Sequence, residues 1–241
     1  MDTLVGAGAD IVELGLPFSD PIADGPTIQQ AMGRSLSGGF KVSDLFDAVS
    51  SVRRSHEHLP IVVMTYFNPV LRMGVSAFCG RLAAAGGDAV LVVDLPPEES
   101  SELDDAARQT GLDTIRLVTP NTDDERLKRI LGSASGFLYA VSVAGVTGSR
   151  AELADTSRAL LGRVSSASGV PVALGFGISE PTHVRAALES GASGVIEGSK
   201  LISMYEGSDD LRAALEDIAR HAREMKSATR AAAEVRPAGP A

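Results

Sequence analysis

The sequence predicts an α/β fold: a (β/α)8 barrel of the TIM type that lacks its N-terminal first strand and most of its first helix. Three observations predict it. First, seven short runs rich in Val, Ile and Leu recur along the 241 residues, "DIVELGL", "PIVVMTY", "DAVLVVD", "DTIRLV", "GFLYAVS", "VPVALGF" and "SGVIEG". Their hydrophobicity is continuous rather than alternating, as strands buried on both faces of a helix-covered parallel sheet require. Second, helix-period segments lie between them, at 42–54, 98–109, 123–131 and 181–190, several opening on Ser, Asp or Pro and closing near Gly. Third, Glu13, Asp94, Ser142, Gly175 and Gly198 fall at or just past the C-terminal ends of different runs. Polar groups drawn from many strand ends toward one face suit a barrel mouth better than the single crevice of an open doubly wound sheet, the competing architecture.

Taken in order, "MDTLVGAGAD" reads as the last two turns of a helix and a Gly-containing link into the first apolar run. A strand and most of a helix are therefore expected before Met1, and the barrel is expected to be open between "DIVELGL" and "SGVIEG". In the first run Glu13 follows Ile11 and Val12, so its carboxyl is at least partly desolvated, which raises its pKa toward the range of an acid–base catalyst. A strand-end glutamate paired with a cation is the plainer reading. In "SDPIADGP" Asp20, directly before Pro21, reads as a turn former, whereas Asp24 before Gly25 suits either a turn or a site. Cys79, in the helix-like "VSAFCGRLAAAGG", reads as a buried apolar thiol.

Farther along, "SVAGVTGSR", residues 142–150, is a Gly-containing connection that reads equally as a mobile lid or as an ordinary loop. "VALGFGIS" ends a strand in Gly175-Phe176-Gly177 and leads to a helix whose expected cap is Ser179. Glycines there let backbone N–H groups approach an anion, and the helix start adds its dipole, although a plain turn explains a lone Gly-x-Gly as well. The next run ends in Glu197-Gly198-Ser199-Lys200. Two Gly-rich strand ends in succession match the recurrent phosphate site after the last two strands of such barrels. The domain expected is a single barrel over 1–230, with 231–241 as a tail, since "AAAEVRPAGPA" has no apolar periodicity.

Composition bounds the function. With 31 acidic against 22 basic residues and a net charge of −9, the chain is poorly suited to nucleic acid or an anionic membrane surface. One cysteine allows no internal disulfide, and the four histidines, His56, His58, His183 and His221, have no metal-ligand spacing. No signal peptide or membrane-length apolar run occurs, so a cytoplasmic protein without metal is expected.

Together, "GADIVELGLPFSDPIADGPTIQ", "DLPPEES", "SVAGVTGSR" and "GFGIS" closely resemble the tryptophan synthase α-subunit family, from about residue 2 to about residue 230. The resemblance implies a carbon–carbon lyase that cleaves indole-3-glycerol phosphate to indole and glyceraldehyde 3-phosphate. It implies no cofactor, and transfer of indole to a β subunit in an α2β2 hetero-oligomer. It casts Glu13 as the general acid/base and Asp24 as the carboxylate that meets the indole N–H. Tyr139 becomes an active-site tyrosine beside Glu13, and Thr147 and Gly148 become parts of a closing loop. Phe176, Gly177, Gly198 and Ser199 become phosphate ligands, and Met64, Leu91 and Val93 line the indole pocket. Glu197 and Lys200 depart from the small or apolar residues expected beside that phosphate, so Glu197 is expected to point away or to pair with Lys200. A barrel that mainly binds and regulates the β subunit is the competing reading, and another phosphosugar reaction on the same scaffold is a third.

Overall fold

The computed structural model describes the backbone of residues 1–141, 150–175 and 177–235. Ser142, Thr147, Gly148 and Phe176 lie outside the described residues, as do 236–241. In chain order the elements are α1 (Asp2–Gly6), β1 (Val12–Gly15), α2 (Pro26–Ser37), α3 (Val42–Ser55), β2 (Ile61–Thr65), α4 (Phe67–Met73), α5 (Val75–Ala85) and β3 (Ala89–Val92). Then follow α6 (Ser101–Thr110), β4 (Asp113–Thr114), β5 (Arg116–Val118), α7 (Asp124–Ser133), β6 (Leu138–Val141), α8 (Arg150–Ser165), β7 (Val172–Gly175), α9 (Pro181–Glu189), β8 (Gly194–Val195), α10 (Ser199–Glu206) and α11 (Leu211–Val235).

Each of the seven apolar runs carries a strand, and the fourth is divided at Ile115 into β4 and β5. The strands form two four-stranded sheets, ordered β1-β2-β3-β4 and β5-β6-β7-β8. Every described pairing is parallel. Among the described residues no strand precedes Val12, and β1 and β8 are each an edge of their own sheet. The α/β alternation with parallel strands is that of a (β/α)8 barrel.

The described residues divide into two compact units. One holds Asp10–Arg116 with Gly132–Gly136, the other Asp2–Ala9, Leu117–Leu131 and everything from Phe137 onward. In the first, β3 is buried at all four positions, as the unbroken apolar run requires of a strand covered on both faces. Its helix-side core joins Val49 of α3, Phe78, Cys79 and Leu82 of α5 and Ala107 of α6. Phe46 and Phe78 meet edge to face at 5.7 Å, and the Arg81 guanidinium stacks on Phe46. Cys79 is fully buried, and burial pushes its thiol up to about 11, so it is an inert packing group. Beneath this core Arg116 donates to Ser100 Oγ at 2.7 Å and pairs with Asp104, a buried charge placed only where it is met.

In the second unit α8 packs on β6 and β7 and α9 on β8, with Leu160, Leu161 and Val164 of α8 and Val184 and Leu188 of α9 buried. The last helix, α11, turns Ala214, Ile218, Met225 and Ala228 into this core, at helical spacing along one face. It runs on through residues 231–235, into the stretch whose composition suggested a tail. The cap of α9 also differs from the expected Ser179. Pro181 at the first helical position forces the residue before it into extended geometry, so Glu180 is the cap, at φ −144° and ψ 151°. The Ser179 N–H instead donates to His183 Nδ1 at 3.3 Å.

Candidate active site

In the first unit the site is built on the ends of β1 and β2. Parallel pairing sets Glu13 opposite Val62, and the ladder ends where the Leu16 N–H donates to the Met64 carbonyl. Glu13 as a whole is half-buried, but its carboxylate Oε2 is out of reach of solvent and has no hydrogen-bond partner among the described residues. Removal from water, with the Asp24 charge adding to it, pushes the Glu13 carboxyl up to about 7. No cation pairs with it among the described residues. A carboxyl raised to about 7 suits a group that gives and takes a proton near neutrality.

The loop after β1 folds back over the end of β2. Asp20 is exposed and forms the turn, accepting from Ser19 Oγ at 2.5 Å while its carbonyl accepts from the Ile22 N–H. Asp24 is half-buried, and it is held by a residue that the sequence did not single out. Tyr66, 1% exposed immediately after β2, donates its hydroxyl to Asp24 Oδ2 at 2.6 Å and accepts from the Ala23 N–H at 3.0 Å. The Tyr66 ring also rests against Phe18 at 5.2 Å, so one side chain fixes both ends of the loop. Burial raises the Asp24 carboxyl above the usual range, and the Tyr66 hydrogen bond acts against that rise. The signal available in "PIVVMTY" was a tyrosine hydroxyl set at a strand end, where a buried phenol needs a polar partner.

Of the expected pocket residues, Leu91 is buried while Met64 and Val93 are half-buried. Asp94, another strand-end carboxylate, accepts from the Phe67 N–H at 2.6 Å and so satisfies the start of α4.

The second unit carries Tyr139, Gly177, Gly198 and Ser199. Tyr139, 7% exposed on β6, stands opposite Ala173 of β7. Its ring occupies the space where a Cβ on Gly175 would fall, so Gly175 is glycine because the tyrosine packs onto its backbone. Gly177 adopts φ +75°, and among the described residues neither it nor Gly198 has an atom within 4 Å of where a Cβ would stand. Beside β7, strand β8 leaves in the same direction, with the Ile196 N–H on the Leu174 carbonyl, so the loops that follow the two strands start side by side. Gly198 caps α10, Ser199 is its first residue, and Gly198, Ser199 and Lys200 are exposed. Open backbone at a helix start is suited to an anion.

Glu197 does not pair with Lys200. Its Oε1 lies 2.7 Å from Nε2 of His221 on α11, because the carboxylate is turned inward while Lys200 stays at the surface. No group of three or more His, Cys, Asp or Glu side chains is arranged to hold a metal ion among the described residues, and no described helix is long and apolar enough to cross a membrane.

The sequence profile of the family described as tryptophan synthase alpha chain matches residues 1–230. The tryptophan synthase alpha chain of Pyrococcus abyssi is 47% identical over 193 residues, 80% of this chain and 77% of that protein. That of Thermococcus kodakarensis is 42% identical over 223 residues, 92% of this chain and 87% of its own length. Among solved structures, tryptophan synthase subunit alpha from Legionella pneumophila superposes with a TM-score of 0.86 at 34% identity, covering 96% of this chain and 86% of that one. A chain of the tryptophan synthase α2β2 complex from Pyrococcus furiosus gives 0.85 at 40% identity, covering 94% and 90%.

Proposed function

Because the chain belongs to the tryptophan synthase alpha chain family, we propose that it is the lyase subunit that splits indole-3-glycerol phosphate into indole and glyceraldehyde 3-phosphate. Residues 1–230 act as one barrel, in the cytoplasm, and hand indole to a β subunit in an α2β2 assembly like that of the Pyrococcus furiosus relative. The observation that carries this reading is the Glu13 carboxyl, buried and poised at about 7, beside an Asp24 that Tyr66 holds in place.

The reaction needs a proton delivered to indole C3 and another taken from the 3'-hydroxyl of the glycerol chain. Glu13 in its acid form supplies the first, leaving a carboxylate that accepts the second as the C3–C3' bond breaks. The bond's electrons return to the indole ring, the 3'-carbon becomes the aldehyde, and Glu13 ends protonated as it began. While C3 is protonated the ring nitrogen carries positive charge, and ionised Asp24 stabilises it electrostatically. Two carboxylates in different surroundings thus take separate roles.

Backbone N–H groups around Gly177 and Gly198, with the Ser199 hydroxyl, hold the phosphate. Tyr139 belongs to the substrate-binding residues, as do Thr147, Gly148 and Phe176.

The test is indole release from indole-3-glycerol phosphate by the purified chain, alone and with a β subunit. Turnover that Glu13→Gln removes is expected. Turnover absent from the intact chain under both conditions would reject the lyase reading in favour of a purely regulatory barrel.

A further inference from the structure

We propose that Glu197 and His221 form a clasp that sets the anion affinity of the turn between β8 and α10, tying that turn to the last helix and keeping the Glu197 carboxylate away from the bound phosphate. The inference rests on the reading of Gly198 and Ser199 as phosphate ligands and explains why an acid is tolerated directly before them.

Glu197 is the residue next to Gly198. A free carboxylate there would stand within a few ångström of a phosphate carrying one to two negative charges, and like charges at that range repel strongly in a site only partly open to water. The side chain is instead directed into the protein. Its Oε1 meets His221 Nε2 at 2.7 Å, and the two side chains are 11% and 12% exposed. His221 occupies an unusual place for a polar ring. It lies seven residues after Ala214 and four before Met225, on the same stripe of α11 that buries Ala214, Ile218, Met225 and Ala228. An imidazole on an otherwise apolar stripe is costly unless it is paired, and the partner is the one acid of the phosphate turn.

Two consequences follow for binding. The bond anchors the turn just before Gly198, so the exposed backbone of Gly198 and Ser199 is presented to an anion by a fixed support rather than by a free loop. The same bond holds a negative charge on the far side of that turn. Losing His221 therefore releases an acid beside the phosphate as well as loosening the ligands. Glu197 and His221 are positioning residues: they act through Gly198 and Ser199 and leave proton transfer at Glu13 untouched.

The experiment compares wild type with His221→Leu, Glu197→Gln, the double variant and Gly198→Val, following indole release from indole-3-glycerol phosphate and its competitive inhibition by inorganic phosphate. Leucine suits the apolar stripe of α11, so His221→Leu keeps the fold, which thermal unfolding checks. It should raise KM and the phosphate inhibition constant roughly tenfold, the effect of one poorly screened charge near an anion, with kcat little changed. Glu197→Gln, which keeps an oxygen to accept from Nε2 and carries no charge, should stay near wild type. Adding Glu197→Gln to His221→Leu should recover most of the lost affinity, which a merely structural role for His221 would not produce. An unchanged KM in His221→Leu, or a rise that Glu197→Gln does not relieve, overturns the clasp. Gly198→Val separates the two levels: if it raises KM while His221→Leu does not, the clasp alone fails, and if it leaves KM unchanged, the phosphate reading fails and the clasp with it.

Discussion

Replacing Glu13 by Gln should stabilise the protein in alkaline solution while abolishing its turnover. In the folded chain the Glu13 carboxyl is raised from 4.5 to about 7, so the native state holds this proton more tightly than the unfolded chain does. Its contribution is intact in acid, declines as pH rises above the unfolded value, and reaches its full penalty above about 7. At about 1.4 kcal/mol for each tenfold change in proton affinity, the penalty comes to about 3 kcal/mol. Part of it is repulsion from half-buried Asp24, which solvent screens, so this is an upper value. Glutamine fits the same space and does not ionise. Urea unfolding of the two proteins at about pH 5 and about pH 8.5 should show the advantage of the variant growing by about 2–3 kcal/mol across that interval. Indole release should fall on the order of 100-fold or more, the usual contribution of one acid–base group. Parallel pH dependences of stability would refute desolvation as the cause of the raised pKa, and near-normal turnover in Glu13→Gln would refute its catalytic role.

Tyr66→Phe removes the hydroxyl that holds Asp24 and Ala23, and a lost hydrogen bond to a charged group, worth about 1.5–3 kcal/mol, should lower kcat/KM roughly tenfold or more. Since that bond opposes the upward shift of the Asp24 carboxyl, the acidic limb of the pH–rate profile should move to higher pH, and an unmoved limb would detach Tyr66 from Asp24. Gly175→Ala drives a methyl group into the Tyr139 ring, and overpacking of this kind should cost about 1–3 kcal/mol in chemical denaturation. Asp104→Ala leaves the buried Arg116 guanidinium without its ion pair and should destabilise the chain by about 3 kcal/mol, with the KM for indole-3-glycerol phosphate unchanged.

The alternation of strands and helices was legible because burial on both faces writes unbroken apolar runs, and each such run became a strand. Glu13 stood out for a related reason: an acid inside "DIVELGL" conflicts with its own surroundings, and a local conflict of that kind is the ground for proposing a site there. Asp20 as a turn former and Cys79 as a packing thiol were settled by their neighbours in the chain. The dividing of "DTIRLV" between two sheets at Ile115, and the helix that continues to Val235 through a stretch without apolar periodicity, were not visible in the same way.

What the sequence by itself determined, then, was which residue types stand at the strand ends, since that depends only on composition within a dozen positions. Which of them meet was decided by the tertiary structure. Tyr66 finds Asp24 across 42 positions, Tyr139 claims the space over Gly175 across 36, and Glu197 turns from its neighbour Lys200 to His221, 24 residues away. The physical reason is common to all three. A buried hydroxyl, ring or carboxylate must find a partner or a cavity of its own shape, and in a parallel α/β fold the nearest candidate lies on an adjacent strand or on the helix packed against it, at a distance in sequence that no local pattern encodes.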